Sequence, residues 1–239
     1  DLEAIRASVE EKLQGTDEFG EAWQIYVYRL KDGARASLGQ GRLTAASLIK
    51  LYIMGAVYSS YDNIVAANGQ KQVDKLLNAM ITVSDNDSAN TLVGMLGNGD
   101  NAAGQEAVNT YCKNNGYTDT SMGRMLLEKA SANENYTSAR DCSVFLKNIY
   151  ENKLEHSEDM LNLLKQQTRT EKIPKGIPSG VETANKTGEL DHVENDAAIV
   201  FDGENPYIIC VMADNLSDTT EARQRIVDIS SVVYENISK

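Results

Sequence analysis

Hydrophobic positions along this chain change their period twice. Leu2, Ile5, Val9 and Leu13 recur at three- and four-residue intervals, the spacing of one helical face, and Gly15 closes the run. Between Ala22 and Leu30 the period falls to two, with Trp23, Ile25 and Val27 alternating with Tyr26 and Tyr28. Lys31-Asp32-Gly33 then supplies turn residues ahead of Ala34 to Leu38, and the pair of runs predicts a β-hairpin. From Ser47 the pattern is helical as far as Asn162 to Gln167, broken around Asn68-Gly69, Gly97 to Asp100, Gly116 and Glu128 to Tyr136. Strand patterning returns after the loop Ile173 to Gly180, in Val181 to Thr187, Ala197 to Phe201 and Tyr207 to Ala213, with a turn at Asp202 to Pro206. A helix from about Thr219 to Asn236 carries Ile226, Ile229, Val233 and Ile237 on one stripe.

Strands at both ends with helices between them predict a mixed α/β fold. Residues 1–42 and 178–239 build one antiparallel sheet domain from the two termini, and residues 43–177 form an inserted all-helical domain. The chain has 239 residues, of which 41% are hydrophobic and 24% charged, enough for a sizeable core and typical of soluble globular proteins. No apolar run reaches the length of a membrane span. Net charge is -12 with the acidic residues scattered, which disfavours nucleic acid as a partner. Three widely spaced cysteines, Cys112, Cys142 and Cys210, read as buried thiols, with one disulfide plus a free thiol as the alternative. His156 and His192 lie far apart and near no cysteine pair, so neither a metal site nor a cofactor is expected.

The chemistry begins at Ser47-Leu48-Ile49-Lys50, where a loop containing Gly39 and Gly41 gives way to an apolar helical run. Three residues apart on a helix, Ser47 and Lys50 share a face. A serine hydroxyl is a weak nucleophile and a charged lysine a weak base, but burial and cationic neighbours depress a lysine pKa until it accepts the proton. Alone the pair is equally a helix N-terminal serine followed by a solvated lysine. Two more motifs follow in order: Ser84-Asp85-Asn86, where one helix yields to another, and Lys186-Thr187-Gly188 at the end of the first late strand.

SxxK, SDN and KTG in that order resemble the signature of the class A β-lactamase and penicillin-binding protein superfamily. The likeness extends through Ile173 to Gly180, Val181 to Gly188 and Asn195 to Val200, and so covers nearly the whole chain. It implies a five-stranded antiparallel sheet flanked by helices in an α/β/α sandwich, with the helical domain inserted. It also implies an acyl-enzyme formed at Ser47 with Lys50 as base. By the same resemblance Ser84 relays a proton to the leaving nitrogen while Lys186 keeps the local potential positive. Asn86 receives the substrate's acylamino side chain and Thr187 its carboxylate, beside Gly188. The backbone N–H groups of Ser47 and Glu189 form the oxyanion hole. The partner is then a small molecule, a β-lactam or a peptidoglycan-like peptide, acted on by a monomer outside the cytoplasm.

Two positions depart from that pattern. The family hydrolyses its acyl-enzyme with a glutamate two residues beyond a loop arginine; Arg124 resembles that arginine, and two beyond it stands Leu126. Leucine cannot polarise water, so deacylation is expected to be slow unless Glu128, two positions further, serves as a surrogate base. Glu189 puts an acid where the family usually has a small or hydroxylated residue, and no arginine occurs between Gly188 and Ala222. Carboxylate-bearing substrates then bind weakly unless Glu189 points outward. The expected activity is that of a β-lactamase-like serine hydrolase with slow turnover. The runner-up is a penicillin-binding D-alanyl-D-alanine peptidase of cell-wall metabolism, and a non-catalytic binding or sensor module stands third.

Overall fold

The structure, a computed structural model, describes residues 2–238. Helix α1 (Leu2–Lys12) leads into the predicted hairpin, β1 (Ala22–Arg29) and β2 (Arg35–Leu38), and then a short strand β3 (Leu43–Thr44). A 3-10 turn at Ala46–Leu48 opens helix α2 (Ile49–Ser59), followed by α3 (Tyr61–Asn68), α4 (Gln70–Thr82), α5 (Asn86–Leu96) and α6 (Asn101–Asn114). Strand β4 (Tyr136–Thr137) precedes α7 (Ala139–Tyr150) and α8 (Ser157–Lys165). The chain then forms β5 (Glu182–Leu190), β6 (Val193–Phe201), β7 (Tyr207–Asp214) and α9 (Thr219–Ile237).

Five strands form one sheet in the order β2-β1-β7-β6-β5, every neighbouring pair antiparallel. Both ends of the chain meet there: β1 pairs with β7 in a register that sets Ile25 opposite Val211. The central strands are buried on both faces. Ala197, Ile199, Ile208, Cys210 and Met212 join the larger core shared with the helices, whereas Ala198, Val200, Ile209 and Val211 pack with α1 and α9 through Ile5, Val9, Ile226, Ile229 and Val233. That two-sided burial explains the continuous apolar run in β6 and β7. All three cysteines are free and buried.

Two details differ from the sequence expectation. Residues 43–177 are not all-helical: β3 pairs with β4, and Ser121 bridges to Tyr136. Strands of two residues are too short to register as a hydrophobic period. Strand β6 also begins at Val193, four residues before the apolar run, because Glu194, Asn195 and Asp196 occupy strand positions with buried, partnered side chains. Among the described residues no helix is long and apolar enough to cross a membrane.

Strand β5 lies at an edge of the sheet, and its Gly188 packs against the turn at Ala46–Leu48. Gly188 makes this approach possible: a Cβ there would lie 2.8 Å from Ala45 O and 3.1 Å from Ser47 N. The fold thus brings the end of β5, the start of α2 and the α4–α5 connection to one place.

Candidate active site

Helix α2 is apolar nearly throughout, and residues 49–58 are all buried. Its one charged residue is Lys50, whose side chain has no exposed surface. A lysine cannot be solvated there, and an ammonium in such a place sheds its proton or finds a partner. Burial, followed by the nearby positive charge of Arg169, pulls its pKa down to about 7, against an opposing effect of Asp85. Lys50 Nζ has four polar neighbours: Ser47 Oγ at 3.0 Å, Ser84 O at 2.7 Å, Ser84 Oγ at 3.0 Å and Asn86 Oδ1 at 2.8 Å. The Ser84 carbonyl and the Asn86 amide oxygen can only accept. A neutral amine has two N–H groups to give them, and its lone pair is then left for a hydroxyl.

Ser47 is held from three directions. Asn195 on β6 donates to Thr44 O and Ala45 O, both at 3.0 Å. Ala45 N donates to Asn135 O at 2.8 Å, and Thr44 N to Asp214 Oδ2 at 3.0 Å. Between these tethers and the helix, Ala46 takes φ 48°, a left-handed conformation that costs a non-glycine residue free energy and persists because its surroundings impose it. Ser84 also has positive φ, 60°, in the tight turn between α4 and α5. Asp85 caps α5 by accepting from Ser88 N at 2.7 Å. The capping role of the motif therefore coexists with its place in the site.

Lys186 is fully buried and donates to Ser84 Oγ at 3.0 Å and to Thr187 O at 2.8 Å. Burial first, then the positive Lys50, Arg169 and Lys172, lowers its pKa well below that of a free lysine. Ser47, Lys50, Ser84, Asn86 and Lys186 thus form one hydrogen-bonded group, and Thr187 and Gly188 continue it along β5.

A cleft of about 540 Å3 opens beside Ser47, with Asn86, Leu126, Glu128, Asn135, Glu189 and His192 among its lining residues. A larger depression of about 640 Å3 between α2 and α6 holds none of the motif residues. The Arg124 loop is closed by an ion pair to Glu134, with Nε to Oε1 at 2.7 Å, and Arg124 also donates to Glu128 O at 2.6 Å. Leu126 is clamped by the side chain of Asn90, which accepts from Leu126 N and donates to Leu126 O, both at 2.9 Å. Glu128 lines the same cleft, but its carboxylate accepts from Met125 N at 3.3 Å. No hydrogen bond joins Glu128 to Ser47 among the described residues.

Glu189 neither points freely outward nor stands unpaired. It faces Lys172 at 3.2 Å, Arg169 at 3.7 Å and Arg223 at 3.8 Å. Glu194, almost fully buried, takes the shorter contacts of the same cluster, with Lys172 at 2.9 Å and Arg223 Nε at 2.7 Å. Burial alone would raise the Glu189 carboxyl, and the charges of Lys172, Arg223 and Arg169 together outweigh it and hold the pKa below the usual carboxylate range. The sequence reading singled out Glu189 here but missed Arg169, Lys172, Glu194 and Arg223. These residues come from the α8–β5 connection, the start of β6 and α9, and share no motif spacing.

The model of the beta-lactamase enzyme family matches residues 64–237. No curated protein matches the chain by sequence. Among solved structures, similar ones include a leucine-to-glutamate mutant of PBP-A described as an acyl-enzyme complex with penicillin G, at 20% identity over 98% of this chain and 96% of that one, TM-score 0.84. A beta-lactamase from Sphaerobacter thermophilus is 21% identical over 99% of this chain and 98% of that one, TM-score 0.81. A serine-to-glycine form of the TLA-1 extended spectrum beta-lactamase is 18% identical over 100% of this chain and 99% of that one, TM-score 0.85.

Proposed function

The chain belongs to the beta-lactamase enzyme family, and from that premise we propose that it is a serine acyltransferring hydrolase that forms an acyl-enzyme at Ser47 and releases it slowly. The observation carrying this reading is Lys50 Nζ, 3.0 Å from Ser47 Oγ, with carbonyl-type acceptors at 2.7 and 2.8 Å for its two N–H groups. As Ser47 Oγ bonds to the substrate carbonyl carbon, its proton passes to the Lys50 lone pair. The oxyanion receives the N–H groups of Ser47 and Glu189, beside which the edge of β5 is drawn in by Gly188. When the C–N bond breaks, the Ser84 hydroxyl gives its proton to the nitrogen. Lys50 and Lys186, each 3.0 Å from Ser84 Oγ, can restore it. Asn86 holds Lys50 through its oxygen and turns its amide nitrogen to the substrate; Thr187 and Gly188 line the strand along which the substrate lies.

Deacylation is slow in this reading because the cleft wall opposite Ser47 offers Leu126. The PBP-A neighbour is a leucine-to-glutamate mutant described as an acyl-enzyme complex with penicillin G, and the same exchange is open at Leu126. Glu128 as surrogate base is the lesser reading, since its carboxylate is engaged with Met125 N. The absence of a carboxylate at Leu126 also favours a second reading, a penicillin-binding peptidase whose acyl-enzyme waits for an acceptor other than water. Mass spectrometry of the protein after exposure to benzylpenicillin, followed over time, tests both. An adduct on the Ser47 peptide that decays slowly supports the hydrolase, one that persists supports the peptidase, and no adduct from either benzylpenicillin or its methyl ester overturns both.

A further inference from the structure

A ligand that acylates Ser47 lies next to the end of β5, because Gly188 packs directly against the turn holding the nucleophile. On β5, side chains alternate between faces, so Thr187 and Glu189 point the same way and Lys186 the other. Around Glu189, two residues along the same face from Thr187, lies the cationic cluster of Arg169, Lys172 and Arg223. A cluster of this kind next to a nucleophile would ordinarily attract an anionic group of the substrate. Here the protein supplies the anions itself. Glu194, buried beneath, takes the short contacts of Lys172 and Arg223, and Glu189, on the cleft wall, takes the contacts that remain with all three cations. An incoming carboxylate would have to displace Glu189 from these cations or sit beside it as a like charge.

We propose that Glu189 occupies the anion seat of the cleft, so that the preferred acyl donors carry no carboxylate on the β5 side. This rests on the acyl-enzyme reading and narrows it to a substrate class: neutral or cationic amides and esters instead of acids. Two further features of the cleft suit such a donor. Leu127 and Leu190 are among its lining residues and expose 69% and 42% of their surface, an apolar offering to the ligand.

A matched pair isolates the charge. Benzylpenicillin and its methyl ester differ only at the carboxyl group, and the rate of Ser47 adduct formation is followed by mass spectrometry for each, in the wild-type protein and in Glu189→Gln. The expected result is faster acylation by the ester in the wild type, and an ester-to-acid rate ratio that falls at least threefold in Glu189→Gln. Equal or faster acylation by the acid in the wild type overturns the proposal and leaves the acyl-enzyme reading intact. A ratio unmoved by Glu189→Gln overturns it as well, because the preference would then be one of shape. No adduct from either compound removes the acyl-enzyme reading and this proposal with it. The wild-type comparison stands even if the variant fails to fold.

Discussion

Lys50 and Lys186 meet on one hydroxyl: Ser84 Oγ lies 3.0 Å from each Nζ. Both amines are buried, and each has its pKa lowered by that burial first. Two ammonium groups cannot share so small a volume without cost, so the pair binds protons as a unit. The proposed attack needs Lys50 neutral, and its pKa falls to about 7.

Acylation should therefore follow a rising pH profile. Below pH 7 Lys50 is protonated in most molecules and cannot accept the Ser47 proton, so the acylation rate grows about tenfold per pH unit. Above that point it levels off. Stopped-flow acylation with a chromogenic β-lactam between pH 5 and 9 checks this, and a flat profile would remove Lys50 as base.

Arg169 is the second-largest influence lowering the Lys50 pKa. Replacing it in Arg169→Gln removes a positive neighbour and should raise the midpoint of that profile. Acylation measured below pH 7 then slows by a few-fold, with the high-pH plateau retained. A midpoint that stays put or falls contradicts the electrostatic account of Lys50.

Gly188→Ala should uncouple stability from activity. The added methyl would meet Ala45 O at 2.8 Å, Leu48 N at 3.0 Å and Ser47 N at 3.1 Å, all backbone atoms with little freedom to retreat. Overpacking of this size costs about 1–3 kcal/mol of stability, readable in a urea melt. The larger effect is on geometry: β5 is pushed from the nucleophile turn, and acylation should drop about a hundredfold.

Leu126→Glu should shorten the life of the acyl-enzyme. Only 8% of Leu126 is exposed, and its backbone is fixed by Asn90, so a new carboxylate enters a cleft wall that need not move. A positioned base contributes about a hundredfold or more; the adduct lifetime should fall by about that factor while acylation changes little. An unchanged lifetime, followed by mass spectrometry, would show that Leu126 does not face the ester.

Local patterns were legible from the residues alone because their cause is local. The β1–β2 hairpin, the three late strands and α9 each carry a complete period within one segment, and Ser47 and Lys50 owe their common face to helical spacing. Ser84-Asp85-Asn86 and Lys186-Thr187-Gly188 are also contiguous, so chain order disclosed the residues that form one hydrogen-bonded group with Ser47 and Lys50. The β3–β4 ladder and the polar start of β6 were not legible, since two-residue strands and buried polar positions leave no hydrophobic signature.

What Glu189 does depended on partners that linear order keeps apart. Lys172 and Glu194 are 22 positions from each other, and Arg223 and Glu194 are 29. They meet because β5 and β6 pair in one register and α9 packs back over the sheet. The same holds for Leu126, whose place on the cleft wall is set by Asn90, 36 positions away. Residue type and spacing fix which chemistry a segment can offer. The charge and solvation that surround it are properties of packing, and packing brings together residues that no local pattern relates.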